Sequence, residues 1–316
     1  MEYQRAKRAI EQAKSIAVFA HTNPDGDTLG SSAALYLALK QMGKECGLFC
    51  DDPIPVKYKT IPCGSLFELE PSTEYDLAIA VDCAEAERLG RNSVEFFKFK
   101  NTINLDHHFT NSKYAAINIT ESTSSSAEIV LDFIETLGVE IDAEIADALF
   151  IGLSTDTGSF QHSNTTASSF AAAAQLLNCG ANSAKIAFEM FKKSTLARTK
   201  LLGKVLSRIR TYFDGKVSLV YTLANDFKEF DLDKSATESF VDFAIAVEGA
   251  VVGIAFCQYA ENVFKASLRS ANGFDVSEVA AHFGGGGHKQ AAGCMISGFF
   301  EDAVEKLLRQ ISFSLN

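Results

Sequence analysis

The chain has 316 residues, 47% of them hydrophobic and 22% charged, with 21 Gly, 5 Pro and 7 Cys; this excludes a disordered or low-complexity protein and leaves room for two cores. A formal net charge of −11 excludes a broad basic surface that coats long DNA or RNA, because such binding rests on many Lys and Arg contacts to phosphates. No apolar run approaches the roughly 20 residues of a membrane span, and the cysteines are scattered without a CxxC pair, so a cytoplasmic protein with reduced thiols and no membrane partner is expected.

In chain order, MEYQRAKRAIEQAK reads as an amphipathic helix, SIAVFA (15–20) as a strand, 28–42 as a helix and CGLFC (46–50) as a short strand. YDLAIAVDC (75–83), NTINLDHH (101–108) and YAAINIT (114–120) follow as strands, which makes an α/β domain with a mainly parallel, Rossmann-like sheet. SAEIVLDFIETLG, DAEIADALFIGL and TASSFAAAAQLLNCG read as helices, the last with Gly180 as its C-cap. The basic stretch 182–211 has helical periodicity and is expected to connect residues 1–181 to a smaller α/β domain at 212–316. There KVSLVYTL, ESFVDFAIAVEG, VVGIAFCQYA and VFKASLRS give strand, helix, strand and strand, before a glycine cluster and the amphipathic EDAVEKLLRQISFSL.

HTNPDGDTLGSS (21–32) puts His21, Asp25 and Asp27 within seven positions at a helix start. One Asp suffices to cap a helix; two with an imidazole point to a held cation. Ligands in open parallel sheets collect beyond the carboxyl ends of the strands. LAIAV ends there at Asp82 and TINL at Asp106, His107 and His108, while STDTGSF adds Asp156. Carboxylates suit hard divalent ions and imidazole adds affinity for transition ions, so this set points first to manganese. His21, Asp25, Asp27, Asp82, His107 and Asp156 exceed one ion's usual needs, and two ions about 3.5 to 4 Å apart with one shared carboxylate would use them all.

GGGGHKQAAG (284–293) concentrates backbone freedom beside His288 and Lys289, with Arg269 and Ser270 at the end of the preceding strand pattern. Glycine amides approach an anion closely and arginine grips phosphate in a fork. A cation-holding domain joined to an anion-holding one implies a substrate gripped in a cleft between them.

HTNPDGDTLGS, VDCAE, the triplet at 106–108, STDTGSF and GGGGHKQAAG resemble, in order and spacing, the motifs of the DHH phosphoesterase superfamily with its DHH-associated C-terminal domain. The compact length resembles its nanoRNase group. That resemblance implies two Mn2+, with Mg2+ or Co2+ as substitutes: His21, Asp25 and Asp82 on one ion, and Asp27, Asp82, His107 and Asp156 on the other. It implies Asp106 as a support for the ligands, His108 facing the scissile phosphate, and Arg269, Ser270, Gly284, Gly285, Gly286, Gly287 and His288 around the substrate's terminal phosphate or base. The implied substrates are very short RNAs, linear dinucleotides and 3′-phosphoadenosine 5′-phosphate; the implied assembly is a homodimer. Two rivals stand beside this reading: a pyrophosphatase or exopolyphosphatase of the same superfamily, and a non-catalytic nucleotide-binding module.

Overall fold

The computed structural model describes residues 1–72, 74–271 and 273–315. They form two compact units, 1–193 and 194–316. The first contains α1 (Glu2–Gln12), β1 (Ser15–Phe19), α2 (Gly26–Gln41), β2 (Glu45–Phe49), β3 (Phe67–Glu68), β4 (Leu77–Val81), α3 (Asn92–Phe96), β5 (Thr102–Asp106) and β6 (Ile117–Thr120). Four helices complete it: α4 (Ser126–Leu137), α5 (Ala143–Asp156), α6 (Ala167–Asn178) and α7 (Ser183–Ala187).

The six strands pair in parallel in the order β3-β2-β1-β4-β5-β6. The expected Rossmann-like parallel sheet is therefore present. The chain adds β2 and β3 on one side of β1, and β4, β5 and β6 on the other, so the strand order reverses between β1 and β4, which opens a crevice at their carboxyl ends. Alternation divides the side chains between two cores. Ile16, Val18, Leu77 and Ile79 face a core shared with α1, α2, α4 and α5; Ala17, Phe19, Ala78 and Ala80 face a smaller one built around Phe49 and Phe96. All five strand residues of β4 are buried, as a central parallel strand requires.

Glycines decide how closely α2 and α5 approach. A Cβ at Gly30 would meet the Ala148 carbonyl and the Gly152 amide nitrogen, and one at Gly152 would meet Asp27 Oδ1. That close packing brings the end of α5, and with it Asp156, toward the start of α2.

The second unit contains α8 (Leu196–Leu206), β7 (Arg210–Tyr212), β8 (Val217–Thr222), α9 (Ala224–Phe230), α10 (Phe240–Ile245), β9 (Val252–Ala260) and β10 (Val263–Ser270). It closes with α11 (Val276–His282), β11 (Gly286–His288), β12 (Ala291–Ser297) and α12 (Phe300–Ser312). Its sheet runs β11-β12-β10-β9-β8-β7 and is mixed, with β8 and β9 parallel and the other pairs antiparallel. On α12, Ala303, Val304, Leu307 and Ile311 form the buried stripe that its periodicity predicts. The basic stretch 182–211 is divided between the units: α7 and a π-helical turn, Phe188–Lys192, belong to the first, and α8 to the second. The seven cysteines are free thiols. No helix among the described residues is long and apolar enough to cross a membrane.

Candidate metal centre and anion-facing sheet

The crevice beyond β1 and β4 collects the acidic and histidine residues. Asp25 is the N-cap of α2: its Oδ1 accepts from the amides of Asp27 and Thr28 at 3.0 and 3.1 Å. Its other oxygen is 3.7 Å from His21 Nε2. Asp82, at the end of β4, has a positive φ of 58°, a strained backbone that turns its carboxylate into the crevice. Asp82 Oδ2 lies 3.4 Å from His21 Nε2 and Oδ1 lies 3.5 Å from His107 Nε2. One carboxylate thus faces His21 with one oxygen and His107 with the other, and Oδ1 is also 3.6 Å from His108 Nδ1. On the far side, His107 Nε2 is 3.6 Å from Asp156 Oδ2.

Asp27 is buried beneath this layer. Its Oδ2 accepts the Ser126 amide at 2.6 Å, and its Oδ1 accepts the Ala127 amide at 3.1 Å and the Ser31 hydroxyl at 3.0 Å. It therefore caps α4, a neighbouring helix, with its charge on the positive end of that dipole. Ser126 also donates its hydroxyl to Asp82 Oδ1 at 2.9 Å. Neither Ser126 nor Ser31 was marked by sequence reasoning; the serine run that opens α4 was the available signal.

Ligand atoms of His21, Asp25 and Asp82 lie within 4.8 Å of one another, as do those of Asp27, His107 and Asp156, and those of Asp82, His107 and His108. The first two groups, with Asp82 between them, contain the six residues picked from the sequence. Their chemistry fits a cation. His21 Nδ1 is 2.7 Å from the Thr22 carbonyl, so the ring's hydrogen points there and Nε2 presents a lone pair. Nε2 is buried and has no hydrogen-bond partner among the described residues. The carboxylate oxygens facing it are too far for good hydrogen bonds, but they stand at the separation of two atoms that share one ion.

Burial and mutual charge shift several of these groups. Burial lowers the His21 pKa, but Asp25 and Asp82 outweigh it and bring the value to about 9. Burial, then repulsion from Asp82, Asp156 and Asp25, pushes Asp27 well above the ordinary carboxylate range. Asp156 is raised to about 6, chiefly by burial, with His107 opposing and Asp82 and Asp25 adding.

Asp106 is fully buried and sits apart from the ligand atoms. Its Oδ1 is 2.8 Å from His108 Nδ1, and its Oδ2 accepts from Asn111 Nδ2 at 2.6 Å. It braces His108, while the supports of the ligand histidines are the carbonyls of Thr22 and Thr123. The Asp106 hydrogen bond raises the His108 pKa, burial opposing it. A residue absent from the sequence reading, Arg88, also stands here: its guanidinium is 3.2 Å from His21 Nδ1.

In the second unit the glycine run has mostly structural causes. Gly284, at φ 72°, ends α11 in a Schellman arrangement, with the amides of Gly284 and Gly285 bonded to the carbonyls of Ala281 and Ala280. A Cβ at Gly285 would meet Cys294 and the Gly293 carbonyl, and one at Gly287, whose φ is 142°, would meet Ala292. Only at Gly286, among the four, would a Cβ meet open space with no left-handed φ. Register aligns Arg269, Ala291 and His288 in one row across β10, β12 and β11, with Ser267, Gly293 and Gly286 as the next row on the same face. The outcome is a small-residue floor between Arg269 and His288. Ser270 Oγ donates to the Phe274 carbonyl at 2.6 Å, also lies 3.2 Å from that of Lys289, and fixes the adjoining turn.

Residues 15–153 match the model of the DHH family, N-terminal domain, and residues 216–313 that of the DHHA1 domain. The bifunctional oligoribonuclease and PAP phosphatase NrnA of Thermus thermophilus is 34% identical over 307 residues, 96% of this chain and 90% of the relative. The protein of that name from Bacillus subtilis is 23% identical over 313 residues, 96% of each chain. The crystal structure of an exopolyphosphatase-related protein from Bacteroides fragilis is 25% identical with a TM-score of 0.91, covering 99% of this chain and 96% of that one.

Proposed function

The chain belongs to the DHH family, and from that premise we propose that it is a divalent-cation-dependent hydrolase of small phosphate esters. Its substrates are oligoribonucleotides of about two to five units, including the linear dinucleotides pApA and pGpG. It also converts 3′-phosphoadenosine 5′-phosphate (pAp) to AMP. Relatives named for both activities support this reading. The observation that carries it is the division of the Asp82 carboxylate between His21 on one oxygen and His107 on the other, the buried Nε2 of His21 having no hydrogen-bond partner among the described residues.

His21, Asp25 and Asp82 would hold one cation, and Asp27, Asp82, His107 and Asp156 the other; the mixed oxygen and nitrogen set favours Mn2+, with Mg2+ or Co2+ as substitutes. Bound there, such ions supply positive charge to phosphoryl oxygens and acidify water. His108 holds a proton against the phosphate: Asp106 accepts from Nδ1, which turns Nε2 outward as the donor to a phosphoryl or leaving oxygen. Arg269 and His288, across the small-residue floor, bind the substrate's terminal phosphate or base. The chain's −11 charge repels long RNA.

The test is product chromatography on metal-free protein, with and without Mn2+, given pApA, pAp, a long RNA, pyrophosphate and polyphosphate. Mn2+-dependent AMP from the first two, with the long RNA intact, is expected. Phosphate from pyrophosphate or polyphosphate alone would replace this reading with the one that the Bacteroides fragilis neighbour's name favours. No product from any substrate would leave a binding module.

A further inference from the structure

Resting on the phosphoesterase reading, we infer that Arg88 is a substrate ligand whose guanidinium grips non-bridging oxygens of the scissile phosphate beside His21. Arg88 lies in the short 3-10 turn Ala86–Leu89, soon after Asp82. Its main chain is fixed: its carbonyl accepts the Thr22 amide at 2.7 Å, and its own amide bonds to the Glu85 carbonyl at 3.0 Å. The side chain is therefore delivered from a tethered backbone into the crevice.

Among the described residues, its one side-chain neighbour in hydrogen-bond range is the wrong kind. The Thr22 carbonyl and the Arg88 guanidinium both approach His21 Nδ1, at 2.7 and 3.2 Å. A carbonyl only accepts and a guanidinium only donates, so a single ring nitrogen cannot serve both. The shorter contact assigns the hydrogen to Nδ1, which leaves Arg88 facing a nitrogen with no lone pair to offer. Among the described residues no carboxylate or carbonyl accepts from this guanidinium. Other arginines of the chain are satisfied: Arg91 by Asp51, Arg208 by Asp226, Arg210 by Glu301, and Arg198 by the carbonyls of Ala236 and Glu238.

Arg88 is half-buried and permanently charged, and its missing partner is an anion. The crevice carboxylates already face imidazoles, so the anion comes from outside the chain. A tetrahedral phosphate matches the planar fork of donors.

The experiment compares wild type with Arg88→Gln and Arg88→Lys. Inorganic phosphate is titrated calorimetrically into the Mg2+-loaded protein, Mn2+ is titrated into the metal-free protein, and kcat/KM is measured on pAp and on bis(p-nitrophenyl) phosphate. Arg88→Gln is expected to weaken phosphate binding at least about tenfold and to lower kcat/KM about 100-fold on both substrates, the loss typical of one oxyanion donor. Mn2+ affinity should not change, and Arg88→Lys, which keeps the charge without the fork, should fall between. Unchanged phosphate binding in Arg88→Gln would overturn the inference. So would a parallel fall in Mn2+ affinity, which would make Arg88 a positioning residue for His21. Arg88-dependent phosphate binding by a wild type that cleaves neither pAp nor short RNA would uphold Arg88 and defeat the substrate reading. Should Arg88→Gln fail to fold, Arg88→Lys carries the same comparison: wild-type phosphate affinity in it would overturn the inference.

Discussion

Replacing Asp82 with Asn tests the shared carboxylate without the activity assay. In the metal-free protein His21 is 1% exposed, and burial alone would drive its pKa below the ordinary 6.5; the value of about 9 is sustained by Asp25 and Asp82. The interval between 6.5 and about 9 corresponds to about 3 kcal/mol. Asp82 is the closer partner, at 3.4 Å against 3.7 Å, and its side chain is 3% exposed whereas that of Asp25 is 52% exposed. Asp25 and Asp82 both sustain that value, Asp25 from the start of α2 and Asp82 from the buried end of β4, so removing the Asp82 charge withdraws a share of it while Asp25 remains. NMR titration of the six histidines in metal-free protein should show His21 of D82N titrating clearly below about 9, the remaining rise being held by Asp25. Calorimetry should show the loss of both Mn2+ binding events together, since Asp82 Oδ1 faces His107 on the other side. A D82N protein in which His21 still titrates near 9, or in which one Mn2+ binds with wild-type affinity, would refute the shared carboxylate.

Metal-free protein should lose stability as pH rises. Asp156, ionising at about 6 when folded and near 3.8 when unfolded, withdraws stability between those values, and His21 withdraws it between 6.5 and about 9. Mn2+ displaces those protons, so the rise in Tm on adding Mn2+ should be larger at pH 8 than at pH 6, and an equal rise would contradict the assignment. Asp106→Asn should lower kcat by at least about 100-fold with Mn2+ affinity intact. Because Asp106 raises the His108 pKa, the alkaline limb of its pH profile should move to lower pH; an unmoved limb would remove His108 as the proton holder. Gly285→Ala should destabilise the protein by about 1 to 3 kcal/mol through overpacking against Gly293 and Cys294. Gly286→Ala should leave Tm unchanged and raise KM, and an unchanged KM would remove Gly286 from the substrate floor.

The first unit was largely legible because its strands are continuous apolar runs that end in Asp or His, a pattern that a buried parallel sheet imposes. The same reading missed β3, only two residues long, and β12, whose AAGCMIS opens with small residues of weak strand preference. The glycine run illustrates a different limit. Sequence shows four glycines but not which are demanded by a helix end at Gly284, which by close strands at Gly285 and Gly287, and which is open at Gly286. Arg88 stayed invisible because its relation to His21 spans 67 positions and depends on a carbonyl that no side-chain pattern reveals.

The negative charge gathered at the start of α2 has a cost that the surrounding hydrogen bonds direct rather than remove. Asp25 gives one oxygen to the amides of its helix, Asp27 gives both to the start of α4 and to Ser31, and Asp82 gives one to Ser126. His21 and His107 turn Nδ1 toward backbone carbonyls. Each anchor fixes a side chain before any ligand arrives, so little orientation entropy remains to be lost on binding. What the anchors cannot offset is the burial of these carboxylates and, after it, the repulsion among Asp25, Asp27, Asp82 and Asp156, both expressed in the raised pKa of Asp27 and Asp156. A single capping carboxylate would fold the helix with none of that repulsion. The arrangement is intelligible when positive charge occupies the crevice, and that requirement selects a cation-dependent chemistry over a purely structural role.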